Sequence, residues 1–195
     1  MQKNIIYNIL NNIYNNTPNI ITDTNINNII KLCHNKKDNL ELNLPRKINV
    51  YKNNDYLIFS QKQINKNYKL ELNNNIEIKN HIIKKIENTN KNSNDICRLN
   101  TKDIKLPLYI RNAKQGDKIK VLGLNGSKLV FDIFMENKIP KYLRTSYPIL
   151  VDNNDTILWI PNLKKSQFNI EKNKNYDIIL EYIEKEEKQW LQTKM

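Results

Sequence analysis

Gly123-Leu124-Asn125-Gly126-Ser127-Lys128 is the stretch of this chain best equipped for chemistry. Two glycines around a short polar loop, followed by a lysine, are the parts of a phosphate cradle: exposed backbone N–H groups and one cation. The nucleotide-binding phosphate loop sets its glycines five apart and places Lys before Ser or Thr. Here both the spacing and the order differ. The residues also spell GxxG, which in one RNA-binding fold joins two helices and clamps a nucleic-acid backbone. The preceding Lys118-Ile119-Lys120-Val121-Leu122 alternates as a strand does, which speaks against that fold. The physics still carries over. Backbone donors beside Lys128, at the start of a helix, suit a phosphate; a plain helix-capping loop is the equal alternative.

Other combinations offer less. Asp132 and Glu136 stand at i, i+4 and share a helix face, but metal-assisted hydrolysis needs further ligands, ideally His. The two histidines, His34 and His81, lie in the other half of the chain. Cys33 and His34 are adjacent, so on a helix they point in different directions. Asp117 follows Gly116 and reads as a turn residue whose carboxylate bonds nearby backbone. No Ser/His/Asp arrangement is present. The residues therefore assign neither a catalytic group nor a metal ligand.

Charge gives the next lead. The chain has 195 residues and a formal net charge of +12. A polyanionic partner is favoured, because each neutralised phosphate releases condensed counterions. Asn, Lys and Ile crowd the sequence as AT-rich codons dictate, so where a charge sits says more than the total. Lys102–Lys165 holds twelve basic residues against six acidic ones, a local excess that flanks the glycine loop. The candidate RNA contacts are Arg111, Lys114, Lys118, Lys120, Lys128, Lys138, Lys141, Arg144, Lys164 and Lys165. Arg111 and Arg144 are the expected anchors, since a guanidinium forks onto a phosphate. All three glycines of the chain, Gly116, Gly123 and Gly126, fall in this same segment. In so glycine-poor a chain, such clustering signals positive φ or close approach to a partner. Gly116, Asp117, Gly123 and Gly126 are read as loop-shaping.

These residues need elements to hold them. Ile6, Ile9, Leu10 and Ile13 mark a first helix, and Ile26, Ile29, Ile30 and Cys33 a second, capped near Thr22. Two short helices cannot bury both apolar faces alone. Residues 48–51 and 56–59 predict one β-hairpin, and residues 68–72 and 76–79 another, with Asn73-Asn74-Asn75 as its turn. Ile96–Leu99 is a further strand. Then come strands at 108–111 and 118–122, a helix from 128 or 129 to 137, and a short helix opened by Pro140. Two strands (149–151 and 157–160) flank the turn Asp152–Thr156, and a last strand spans 176–183. The expected class is α+β: a helical hairpin and β-hairpins followed by a small mixed α/β domain. The expected division is 1–38 helical, 39–105 a hairpin-rich connecting region, 106–183 a nucleic-acid-binding domain and 184–195 a charged tail. The two separated cysteines fit a reduced interior. With no leader segment and no run near the ~20 apolar residues of a membrane span, the expected location is the cytoplasm, with no membrane partner.

The ordered pieces resemble a family. Ile110-Arg111-Asn112-Ala113-Lys114-Gln115-Gly116-Asp117-Lys118-Ile119 is similar to the opening "RNxxxGDxI" of the C-terminal domain of tRNA(Ile)-lysidine synthase. Gly126-Ser127-Lys128, Asp132-Ile133-Phe134 and Lys138-Ile139-Pro140-Lys141-Tyr142-Leu143-Arg144 continue it, the last as "KIPxxxR". Pro148-Ile149-Leu150, Leu158-Trp159-Ile160-Pro161 and Lys164-Lys165-Ser166 complete it. Upstream, the two helices with Leu44-Pro45 and Tyr56-Leu57 resemble the end of the family's helical substrate-binding domain. The resemblance implies a tRNA partner, the isoleucine tRNA, and no DNA. It implies a ligase that uses ATP and Mg to adenylate the wobble cytidine before lysine displaces AMP. That chemistry belongs to a PP-loop domain with a Ser-Gly-Gly-x-Asp-Ser motif, and no Gly-Gly pair occurs here. No cofactor is therefore expected in this chain, which is expected to be inactive alone. The alternatives are a module docking on a PP-loop catalytic domain through the two helices, a homodimer, or an inactive remnant. Two departures from the family stand out: Leu129 and Phe131 stand where lysines are common, and Asn162 where glycine is. Asn tolerates the left-handed conformation better than most residues.

Overall fold

The structure, a computed structural model, describes residues 1–37, 40–53, 56–61, 67–185 and 193–194. Two compact units emerge, Met1–Ile64 with Gln189–Met195 and Asn65–Lys188. The expected charged tail lies largely outside the described residues.

In the first unit, α1 (Gln2–Ile13) and α2 (Asp23–Cys33) are the two expected helices. The Thr22 hydroxyl caps α2 by accepting the Asn25 N–H at 3.2 Å, satisfying one donor that a helix start leaves open. Strands β1 (Leu40–Leu44), β2 (Ile48–Asn53) and β3 (Tyr56–Gln61) form an antiparallel meander. Ile6 and Leu10 of α1 and Ile26, Ile29 and Leu32 of α2 pack with Leu44, Ile48, Val50 and Leu57 of the meander in one core. The helices thus find their covering surface within the unit. The residues that define each helix's apolar face are largely covered within the unit, while Ile5 and Tyr7 of α1 stay exposed.

The second unit begins with β4 (Lys69–Glu71), β5 (Asn75–Ile78), β6 (His81–Lys85) and β7 (Ile96–Leu99). It continues with β8 (Tyr109–Asn112), β9 (Lys118–Ile119), β10 (Lys128–Leu129), α3 (Val130–Glu136) and α4 (Lys141–Arg144). It closes with β11 (Pro148–Val151), β12 (Ile157–Ile160), β13 (Lys164–Lys165) and β14 (Ile178–Glu184). A five-stranded sheet runs β13-β12-β11-β8-β4, a four-stranded sheet β5-β6-β14-β7, and β9 pairs with β10. A last short strand, β15 (Thr193–Lys194), pairs with β3 of the first unit.

The hairpin expected from 68–72 and 76–79 does not form. β4 pairs with β8 instead, and the Leu72 N–H donates to Leu108 O at 2.8 Å. β5 makes its hairpin with β6 around Lys79-Asn80, where Lys79 takes a φ of 53°. The asparagine run is thus a bend between two sheets. Residues 65–105 accordingly belong to the second unit, because β4 completes the sheet that carries β8. The class remains α+β, mostly antiparallel β.

Two cores flank the five-stranded sheet. Ile110, Leu150 and Leu158 face one, which includes Ile83, Cys97, Leu99 and Leu180 of the other large sheet. Ile149, Val151, Ile157 and Ile160 face the second, covered by Val130, Ile133 and Phe134 of α3. The central strand β11 is buried throughout, as expected of a continuous apolar run covered on both faces. Among the described residues no helix is long and apolar enough to cross a membrane.

One half-buried histidine gives the second unit a pH dependence. His81 Nδ1 shares a 2.7 Å hydrogen bond with the Tyr182 hydroxyl, and its ring lies 5.7 Å from that of Tyr147. Burial, then the nearby Lys79 charge, push its pKa down to about 4 from 6.5. Unfolding frees it to bind a proton, so its contribution is full above the unfolded pKa and falls away as pH drops from 6.5 toward about 4. The melting temperature is expected to fall between about pH 7 and about pH 4.5, and by less in His81→Gln. Equal falls in both proteins would contradict this.

Candidate nucleic-acid interface

The segment from β8 to β10 is built around one arginine. Arg111 is paired across the sheet with Ile149, so its side chain starts on a face that is otherwise apolar. It is 1% exposed. Its Nη1 and Nη2 donate to the two Asp117 carboxylate oxygens at 2.8 and 3.0 Å. Nη1 also reaches Asn112 O at 3.1 Å, and Nε donates to Asp155 Oδ1 at 2.9 Å. Burial opposes its charge, but the hydrogen bonds from Arg111 to Asp117 and Asp155 outweigh it and raise the pKa. Arg111 is therefore a structural tie and no phosphate anchor: its fork is spent within the fold.

Asp117 behaves as the turn residue the sequence predicts. Its Oδ2 accepts the Lys114 N–H at 2.7 Å, and its backbone O accepts the Val130 N–H at 2.9 Å, joining the turn to the start of α3. Gly116 has a φ of 89°, Gly123 of 78° and Gly126 of 110°. A Cβ at any of the three would meet nothing within 4 Å. Backbone conformation, not crowding within the fold, is what requires glycine at Gly126, whose φ L residues rarely adopt. Asn162, at the other departure from the family, has a φ of 61°, the conformation in which Asn best replaces Gly.

A cleft of about 580 Å³ opens beside this turn, with Lys118, Lys120, Ser127, Asp155 and Phe168 among its lining. Lys118 and Lys120 are exposed on the β9 segment. Val121 bridges to Ser166, the Gln167 N–H donates to Lys120 O at 2.8 Å, and the Leu122 N–H to Lys165 O at 3.0 Å. These bonds fix the backbone from which both lysines rise. Two cations on a fixed edge, beside a hydroxyl and polar turns, make a suitable seat for a phosphodiester backbone.

The other predicted contacts separate into groups. Lys114 and Lys138 are exposed, Lys138 in a left-handed turn just after α3. Lys128 is committed to an ion pair, its Nζ 2.5 and 2.6 Å from the two Glu136 oxygens. It lies in β10, and the α3 that follows has only seven residues, so the expected lysine at a helix-start phosphate site is not what forms. Arg144 is half-buried and its Nε donates to Ile139 O at 2.8 Å. Lys141 is exposed on α4. Lys164 and Lys165 are half-buried in β13, and burial lowers the Lys165 pKa.

Sequence reasoning missed Asp155 as a site residue, and it missed the fate of the arginines. A signal was present. In a chain of four arginines among 32 basic residues, arginine stands where lysine will not serve. Arg98 is fully buried like Arg111, its Nη2 donating to Lys91 O at 2.7 Å. No three His, Cys, Asp or Glu side chains among the described residues come together as a cation site. The 123–128 loop lacks phosphate-loop order.

What the geometry defines is a small antiparallel α+β domain with a basic cleft along a glycine-shaped edge. Residues 108–180 match the family model described as the TilS substrate C-terminal domain. The bifunctional protein TilS/HprT of Listeria innocua is 30% identical over 181 residues, 88% of this chain. The tRNA(Ile)-lysidine synthase of Bacillus subtilis is 51% identical over 67 residues, 34% of this chain. A crystal structure of a TilS C-terminal domain superposes with a TM-score of 0.56 at 31% identity, covering 61% of this chain and 98% of that one. The chain belongs to the tRNA(Ile)-lysidine synthase family and carries its C-terminal domain. It spans 28% of the length of the Listeria relative and 14% of the Bacillus one.

Proposed function

We propose that this chain is the tRNA-gripping portion of a tRNA(Ile)-lysidine synthase, with isoleucine tRNA as its RNA. The observation that carries the reading is the cleft edge, where Lys118 and Lys120 stand exposed on a backbone pinned to residues 165–167. Lys114, Lys138 and Lys141 are exposed as well, and Arg144 is half-buried. Arg111, Asp117 and the glycines hold the shape without touching RNA. Such a surface positions a ligand through its phosphates and performs no covalent step. ATP and Mg act on a PP-loop domain that is not among these 195 residues, in the cytoplasm.

The test uses the purified 195-residue chain and an isoleucine tRNA transcript. Saturable binding is expected in a gel-shift or anisotropy titration, with no lysidine formed when ATP, Mg and lysine are added. Absence of binding would overturn the RNA role, and turnover would overturn the assignment of chemistry elsewhere.

A further inference from the structure

A carboxylate is out of place in a cleft meant for phosphates, yet Asp155 lines it beside Lys118 and Lys120. Pairing with Arg111 does not account for it fully. Asp117 already takes both Nη groups of that arginine, and Asp155 uses only Oδ1, on Nε at 2.9 Å. Lys69 Nζ approaches the same Oδ1 at 3.6 Å. For Oδ2 the cation near it, Lys114 Nζ, stands at 3.9 Å, too far for a hydrogen bond. The side chain is 42% exposed and lines the cleft.

Asp155 is also held still. It sits in the β11–β12 turn with a left-handed φ of 62°. Asp152 ties that turn: its Oδ1 accepts the Asn154 and Thr156 N–H groups at 3.0 and 2.9 Å, and its backbone O accepts the Asp155 N–H at 3.0 Å. The Arg111 bond then fixes the carboxylate, and the surrounding cations keep it ionised, with its pKa lowered despite burial. A fixed anionic acceptor repels phosphate and rewards a ligand that brings a hydrogen-bond donor.

We infer that the cleft takes a ribose–phosphate unit of RNA, with Lys118 and Lys120 on the phosphate and Asp155 Oδ2 accepting a hydrogen bond from the 2′-hydroxyl. This rests on the RNA-binding reading above and deepens it. The cleft volume falls within the range of about 300–1,000 Å³ that holds small ligands, enough for one such unit. In RNA the 2′-hydroxyl is the donor that neighbours every phosphate, and it is displayed in the shallow groove of an A-form stem. Asp155 is thus a specificity residue, favouring RNA by the sugar and not by base sequence.

The experiment compares an RNA stem-loop with its 2′-fluoro counterpart, which keeps A-form shape but lacks the donor. Anisotropy titrations use the whole chain. The native stem should bind about tenfold tighter than the fluoro stem, the worth of one charge-assisted hydrogen bond. In Asp155→Ala the two affinities should converge to within about twofold, with the fluoro stem bound no more weakly than by the wild type. An unchanged ratio, or equal losses for both stems, would overturn the inference and leave Asp155 a structural acid. Should Asp155→Ala fold poorly, wild-type protein with single 2′-fluoro substitutions along the stem decides: one or two positions should carry most of the difference, and an even spread would overturn it. Failure of the wild type to bind either stem would overturn the RNA-binding reading as well; tight binding of both would sink only the role of Asp155.

Discussion

Arg111→Ala is expected to destabilise the second unit by about 3–5 kcal/mol, the cost of removing one partner from a buried ion pair. Alanine strands the Asp117 carboxylate, which is 12% exposed and loses both Nη donors at once. The damage spreads along defined bonds. Asp117 also holds the Lys114 N–H, and its backbone oxygen holds the first turn of α3. Lysine is expected to recover little. A single ammonium cannot fork onto Asp117 while a separate nitrogen serves Asp155. Urea unfolding followed by tryptophan fluorescence reads this directly, since Trp159 is fully buried in the adjacent core. A loss below about 1 kcal/mol, the range of exposed ion pairs, would contradict the structural role.

The second large effect is on binding. Lys118→Ala with Lys120→Ala is expected to weaken tRNA binding by about tenfold or more near 0.1 M salt, through the loss of two phosphate contacts. The slope of log K against log salt should flatten by about 1.4 to 1.8, at roughly 0.7 to 0.9 per contact. Stability should change by no more than about 0.5 kcal/mol, since both side chains are exposed. Lys128→Ala is the contrast. Its ammonium is held by Glu136, so its loss should affect tRNA affinity far less. If Lys128→Ala matched the double variant, the glycine loop and not the cleft edge would be the phosphate seat.

The pairing of β4 and the burial of Arg111 show what kind of information the chain hides. α1 and α2 were legible because their apolar residues repeat at helical spacing, and β11 and β12 because each is a short continuous apolar run. The demand for positive φ at Gly116, Gly123 and Gly126 was legible because glycine is otherwise absent. What stayed hidden was pairing between distant segments. Nothing local to Tyr68–Leu72 says that β4 will join β8 across 40 residues of chain in preference to the strand next door. Nothing local to Arg111 says that its cross-strand neighbour is the core residue Ile149, or that Asp155 closes on it from the next turn. A strand alternation such as Tyr109-Ile110-Arg111-Asn112 leaves open whether the charged residue faces water or a buried carboxylate. The ordered motifs from Ile110 to Ser166 located the domain correctly, while burial reassigned the roles inside it: Arg111 and Lys128 to ion pairs within the fold, Lys118 and Lys120 to the open edge.

The central claim, that this chain grips tRNA through its phosphates, is tested most directly by titrating it with isoleucine tRNA across a salt series. About four neutralised phosphates predict a log–log slope of roughly −3 to −4. Affinity that stays flat as salt rises, or no saturable binding at the lowest salt, would contradict the account.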